Sequence, residues 1–161
     1  VILDRNGLLV GEGVHAGAGT DHAEVVALAQ AGASARGGVA IVSLEPCRHT
    51  GKTGPCTTAL IESGISEVVY AQADPTPVAG GGAQELVAAG IEVVGGVRQD
   101  QAQQINAQWE TAVRRGYPFV TAKMAVSADG RVAGQGGTRV QLTGSQARDF
   151  AHQLRAQVQA V

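Results

Sequence analysis

The sequence predicts an α/β protein: a three-layer α/β/α domain on a mixed sheet, followed by the start of a second α/β domain. Three observations carry this. A hairpin pattern opens the chain, an αβ unit with one grammar appears twice in its middle, and a fresh strand-and-helix pattern begins after a polar helix. The expected boundaries are 1–97 for the first domain, 98–117 for a connecting helix and 118–161 for the truncated second domain.

"VIL" (Val1 to Leu3), "DRNG" and "LLVGEGV" read as two strands joined by a tight turn at Asn6-Gly7. "HAEVVALAQAGASA" follows as a helix of good formers, and "VAIVSLE" (Val39 to Glu45) as a strand covered on both faces. "CTTALIES" is a short helix closed by Gly64. "TTALIESGISEVVYA" and "AQELVAAGIEVVGG" each give an apolar-faced helix, a Gly-Ile step and a Val-rich strand, which are crossovers feeding a parallel portion of the sheet. "RQDQAQQINAQWETAVRRGYP" (Arg98 to Pro118) is a polar helix ended at Gly116 and Pro118. "FVTAKMAVSADGRVA" then predicts a new strand, "SQARDFAHQLRAQV" a new amphipathic helix, and the final "QAV" another strand.

Composition narrows the function. With 44% hydrophobic residues among 161 but only 3% aromatics, the core must be built from Val, Ala, Leu and Ile. A formal net charge of -2 gives no electrostatic reason for nucleic acid or an anionic membrane as partner. No apolar run approaches the ~18 residues of a membrane span. Val1 leads and the sole methionine is Met124, so a longer protein is expected, with any targeting signal upstream.

The chemistry concentrates in "DHAE" (Asp21 to Glu24) and "LEPCRHTGKTGPC" (Leu44 to Cys56), which holds both cysteines. His22, Cys47 and Cys56 offer one imidazole and two thiolates, enough for tetrahedral zinc with the fourth position left to water. Such a metal lowers the pKa of water to about 7, and Glu24, two residues from His22, is placed to carry its proton. Cys56 falls at a predicted helix N-terminus, which favours a thiolate. Plainer readings stand beside this one. Asp21 and Glu24 fit a capping box, the cysteines could form a disulfide, and His49 could close a structural site as fourth ligand. Together, however, His22-x-Glu24 and Pro46-Cys47 match the zinc deaminase signature with a non-ligand Glu as acid/base, except that eight residues rather than two separate the cysteines.

With that spacing, "HAEV…LEPCRHTGKTGPC" resembles the deaminase half of the bifunctional riboflavin-biosynthesis deaminase/reductase family. "PFVTAKMAVSADGRVA" and "LTGSQAR…LRA" resemble the opening of its reductase half. The resemblance implies a cytidine-deaminase-like α/β/α sandwich followed by a dihydrofolate-reductase-like domain. It makes His22, Cys47 and Cys56 the zinc ligands and Glu24 the proton shuttle. His15, His49, Lys52 and Asp74 become substrate contacts, Lys52 facing the phosphate as a flexible ammonium suits. In the second domain it points to Lys123 and Arg155 for substrate, with Asp129 in the same segment as Lys123, and to Ala125 for the nicotinamide cofactor.

The implied reaction is hydrolytic deamination of 2,5-diamino-6-ribosylamino-4(3H)-pyrimidinone 5′-phosphate to 5-amino-6-ribosylaminouracil 5′-phosphate. NADPH-dependent reduction is expected only of the complete protein. A cytoplasmic homo-oligomer with a small phosphorylated pyrimidine as partner, and neither nucleic acid nor membrane, is the expectation. The chain departs from the family at Thr76, where Asn is usual, and at Arg139 and Gln141, where Ser and Trp are common. The family's Asn-Pro-x-Val-Gly segment, with a substrate-binding asparagine, would precede Val1. The rivals are a deaminase of another free nucleoside or nucleotide and, from a different class, a structural-zinc binding module.

Overall fold

A computed structural model describes residues 1–17, 19–50 and 54–158. The chain divides into two compact units, Val1–Phe119 and Val120–Val161.

The first unit is built on a five-stranded sheet of order β2-β1-β3-β4-β5. The strands are β1 (Ile2–Leu3), β2 (Leu9–Gly11), β3 (Val39–Leu44), β4 (Glu67–Gln72) and β5 (Glu92–Gly95). β1 runs antiparallel to both β2 and β3, whereas β3, β4 and β5 are mutually parallel, so the sheet is mixed. The opening turn is organised by Asp4. Its Oδ1 accepts the N–H of Asn6 (2.8 Å) and of Leu8 (2.9 Å), while Gly7 takes φ 80°, the conformation that glycine adopts without strain.

The helices of this unit are α1 (Ala23–Ala31), α2 (Cys56–Ser63), α3 (Gly82–Ala88) and α4 (Gln99–Arg115). Ala27 and Ala31 of α1, Leu60 of α2 and Leu86 of α3 share one buried cluster with Ile2, Ala40 and Val68 of the sheet. Full burial of Leu60 and Leu86 contributes about 2 kcal/mol each. α4 packs against β4 and completes the α/β/α arrangement. It belongs to the first unit, because buried Gln72 at the end of β4 donates to Glu110 (2.8 Å) and accepts from Asn106 (3.0 Å).

Three local expectations differ from the structure. β3 is not covered on both faces: Ala40 is buried, but Ile41 (39% exposed) and Ser43 on the opposite face are exposed. The helix expected through Ala35 ends as α-helix at Ala31 and tightens into a 3₁₀ turn, Gly32–Ala35, because Gly32 leaves helical geometry at φ 53°. The strand expected in "FVTAKMAVSADGRVA" does not form among the described residues. A strand needs a ladder partner, and among the described residues this segment's backbone hydrogen bonds are those of one tight turn, Ser127 N–H to Arg131 O (2.9 Å) and Gly130 N–H to Ser127 O (2.9 Å). Beyond that turn the second unit carries α5 (Ser145–Ala156), which buries Ala151. The strand expected at "QAV" lies outside the described residues. No described helix is long and apolar enough to cross a membrane.

Candidate metal centre

Two stretches far apart in sequence, one bearing His22 and one bearing Cys47 and Cys56, meet at the carboxyl end of β3. β3 leads through buried Pro46 to Cys47, and the Cys47 carbonyl accepts the N–H of Thr57 (3.2 Å), which seats the start of α2. Cys56 is the first residue of α2. His22 immediately precedes α1, where its carbonyl accepts the N–H of Val26 (3.1 Å).

His22 Nδ1 lies 3.1 Å from Cys56 Sγ and 3.5 Å from Cys47 Sγ, and the three donor atoms all fall within 4.8 Å of one another. Zinc bonds of about 2.0 Å to nitrogen and 2.3 Å to sulfur, at tetrahedral angles, separate two such donors by about 3.5 Å. The donor set therefore fits zinc in both chemistry and spacing. Both cysteines are buried and free, which removes the disulfide reading. His49 stands outside the cluster, so the described residues supply three ligands and leave a position open.

The capping-box reading also fails on geometry. The N-cap of α1 is His22 with no side-chain cap bond, and the Asp21 carbonyl is instead paired with His15 Nδ1 (3.1 Å). Glu24, in the first turn of α1, is spared that duty and stands beside the Cys56 thiol. His15 meets the His22 ring edge to face at 5.2 Å. That approach depends on Gly11 and Gly13, since a Cβ at either would overlap a carbonyl oxygen of α1, Ala27 or Ala23.

The two sulfurs titrate as a pair. The hydrogen bond from the Cys56 thiol, aided by the Cys56 backbone N–H and by His22, pulls Cys47 from its ordinary 9.0 down to about 5. The same hydrogen bond, then burial, then the Glu24 carboxylate push Cys56 upward. In metal-free protein, stability from Cys47 is therefore full above pH 9.0 and lost as pH falls toward about 5. Above that range the raised Cys56 acts in the opposite sense. Urea unfolding of the metal-free chain is expected to show stability rising with pH across this window and flattening or turning over above it. A flat profile would contradict the lowered Cys47 thiol.

The remaining expected site residues are placed as follows. His49 is half-buried, with Nδ1 enclosed and lacking a partner among the described residues. Lys52 lies outside the described residues. Asp74 starts a turn in which its Oδ1 accepts the N–H (2.8 Å) and hydroxyl (2.6 Å) of Thr76. The Thr76 hydroxyl in turn accepts the N–H of Ala79 (3.1 Å), so at this departure from the family it is spent on loop structure. In the second unit Lys123 is exposed and Ala125 half-buried on irregular backbone, and Arg155 is exposed in the last turn of α5. No side-chain hydrogen bond joins these three among the described residues.

Sequence reasoning missed Glu45 and Arg48. Glu45 is only 6% exposed, and Arg48 donates from Nε to the Gly80 carbonyl (2.6 Å). The available signal was a carboxylate directly after a continuous apolar run, since an acid almost never enters a core without partners.

Comparison with known proteins places this geometry. A family profile described as the cytidine and deoxycytidylate deaminase zinc-binding region matches residues 1–72, and one described as the RibD C-terminal domain matches residues 118–161. The riboflavin biosynthesis protein RibD of Haemophilus influenzae is 47% identical over 99% of this chain and 43% of its own length. The chain belongs to the riboflavin-biosynthesis deaminase/reductase family. Solved structures of this family superpose closely. RibD from Acinetobacter baumannii gives a TM-score of 0.90 at 45% identity, over 97% of this chain and 44% of that one. The diaminohydroxyphosphoribosylaminopyrimidine deaminase/5-amino-6-(5-phosphoribosylamino)uracil reductase from Thermotoga maritima gives 0.84 at 38% identity, over 96% and 45%. The chain thus spans less than half the length of these family members.

Proposed function

We propose that the first unit is a zinc-dependent hydrolytic deaminase of the riboflavin pathway. Its substrate is 2,5-diamino-6-ribosylamino-4(3H)-pyrimidinone 5′-phosphate and its product 5-amino-6-ribosylaminouracil 5′-phosphate. The observation that carries this is the convergence of His22, Cys47 and Cys56 within 4.8 Å with Glu24 beside them. In this reading His22, Cys47 and Cys56 hold one zinc, which when bound makes water a competent nucleophile at neutral pH.

Glu24 takes one proton from the attacking water to the ring nitrogen, and then the second, from the hydroxyl now on C2, to the departing exocyclic amine. The C2–N bond breaks, a C2–O bond forms, and ammonia leaves. His15 orients the ring beside His22, while His49, Asp74 and Lys52 hold substrate, Lys52 at its phosphate. NADPH-dependent reduction of the ribosyl chain, with Lys123, Arg155 and Ala125 in the binding roles, belongs to the full-length protein, a cytoplasmic homo-oligomer.

Ammonia release by the zinc-loaded full-length protein tests this. Wild type is expected to turn over and Glu24→Gln to lose at least about 100-fold in kcat while keeping its zinc. Zinc at one per chain with no ammonia from wild type would sink the substrate assignment. Equal turnover by Glu24→Gln would remove Glu24 from the proton path.

A further inference from the structure

Glu45 lies two residues before Cys47, and its buried carboxylate is partnered by three backbone N–H groups among the described residues. Oε2 accepts from Asp74 (3.1 Å), and Oε1 accepts from Gly81 (3.2 Å) and Ala83 (2.9 Å). One carboxylate thus grips both ends of the loop 74–81. A buried charge without such donors is strongly unfavourable, so these three bonds are what permit Glu45 in this position.

The loop it closes is determined along its length. Asp74 and Thr76 form its first turn, and Gly80 N–H donates to the Thr76 carbonyl (2.9 Å). Ala79, inside the loop, is buried in a small cluster with Cys47 and Cys56. From outside, Arg48 donates to the carbonyls of Gly80 (2.6 Å) and Pro77 (3.5 Å). The run Gly80-Gly81-Gly82 answers to this arrangement. A Cβ at Gly80 would come within 2.8 Å of two loop carbonyls, Gly81 takes φ +94°, and a Cβ at Gly82 would overlap the Pro46 carbonyl.

We propose that Glu45 is a positioning residue, which staples the loop 74–81 as one wall of the substrate site over the two cysteine sulfurs. The proposal rests on the deaminase reading above and names how that site keeps its shape. Glu45 touches no reacting atom. It acts through Asp74 and Ala79.

Glu45→Gln keeps size but presents an NH₂ to a backbone N–H at one end of the staple. In the zinc-loaded full-length protein, KM for the pyrimidine phosphate is expected to rise about tenfold, with kcat changed less than about threefold. Zinc should stay at one per chain, and amide exchange should quicken at Asp74, or at Gly81 and Ala83. Arg48→Met, which disturbs no buried charge, should raise KM in the same direction by a smaller factor. An unchanged KM in both variants would overturn the proposal, as would loss of zinc or of the fold with Glu45→Gln, since that is a purely structural role. If wild type releases no ammonia, the deaminase reading fails by itself. Amide exchange then decides the staple, and unchanged protection at those three amides overturns it.

Discussion

Replacing Cys56 by alanine is expected to lower zinc affinity by more than about 100-fold and with it all deaminase turnover. Three protein donors within 4.8 Å are what the described residues provide, and His49 is not among them to substitute. Removing one leaves an imidazole and a single thiolate, too few to hold a tetrahedral ion against water. The variant also deprives Cys47 of the hydrogen bond that does most to favour its thiolate, so the remaining sulfur becomes a poorer ligand at neutral pH. Helix α2 should survive, because Thr57 N–H still reaches the Cys47 carbonyl and Leu60 remains buried. Zinc per chain after dialysis, read beside far-ultraviolet circular dichroism, separates loss of metal from loss of fold. Full zinc retention would show that the ligand set is assigned wrongly.

Gly82→Ala is expected to damage the same centre from a distance. Gly82 begins α3, and an added Cβ would overlap the Pro46 carbonyl oxygen while lying 3.1 Å from Thr57 Cγ2. Neither neighbour can retreat cheaply. Pro46 is fully buried, and Thr57 is fully buried with its hydroxyl bonded to Glu85 (3.0 Å). Relief must come from moving the Pro46–Cys47 segment or the start of α3. Overpacking of this kind costs about 2 kcal/mol. Thermal unfolding should show that loss, and zinc affinity should fall with it because Cys47 moves. A variant as stable and as tightly zinc-bound as wild type would mean that the approach of α3 to Pro46 is looser than the structure has it.

Much of the fold was readable in advance because its signals are local. Gly64 and Gly90 ended their helices as expected. At Gly90 the N–H bonds to Val87 and the next N–H, of Ile91, to Leu86, the Schellman arrangement, and it buries Leu86 and Ile91 together. The hairpin turn was legible at Asn6-Gly7, although the side chain that organises it, Asp4, was not. His22, Cys47 and Cys56 could be gathered on paper because sulfur and imidazole are few and their spacing is distinctive. Glu45, Arg48 and the three glycines could not, since their roles exist only where β3 and β4 end side by side. A glutamate before Pro-Cys carries no mark of which backbone amides it will meet. In the second unit the expected helix forms as α5, whereas the strand expected before it does not, for a related reason: periodicity proposes a strand, but only a neighbouring strand makes one.

Among the described residues the sheet of the first unit has its two margins at β2 and β5, only three and four residues long, the first ending in Gly11 and the second in Gly95. The longer strands, β3 and β4, are enclosed between neighbours on both sides. An approaching chain therefore finds little ladder to extend, which limits edge-to-edge aggregation in the native state. Unfolding reverses this, because "VAIVSL" and "EVVYAQ" then expose the β-rich interior that the margins had kept from intermolecular pairing.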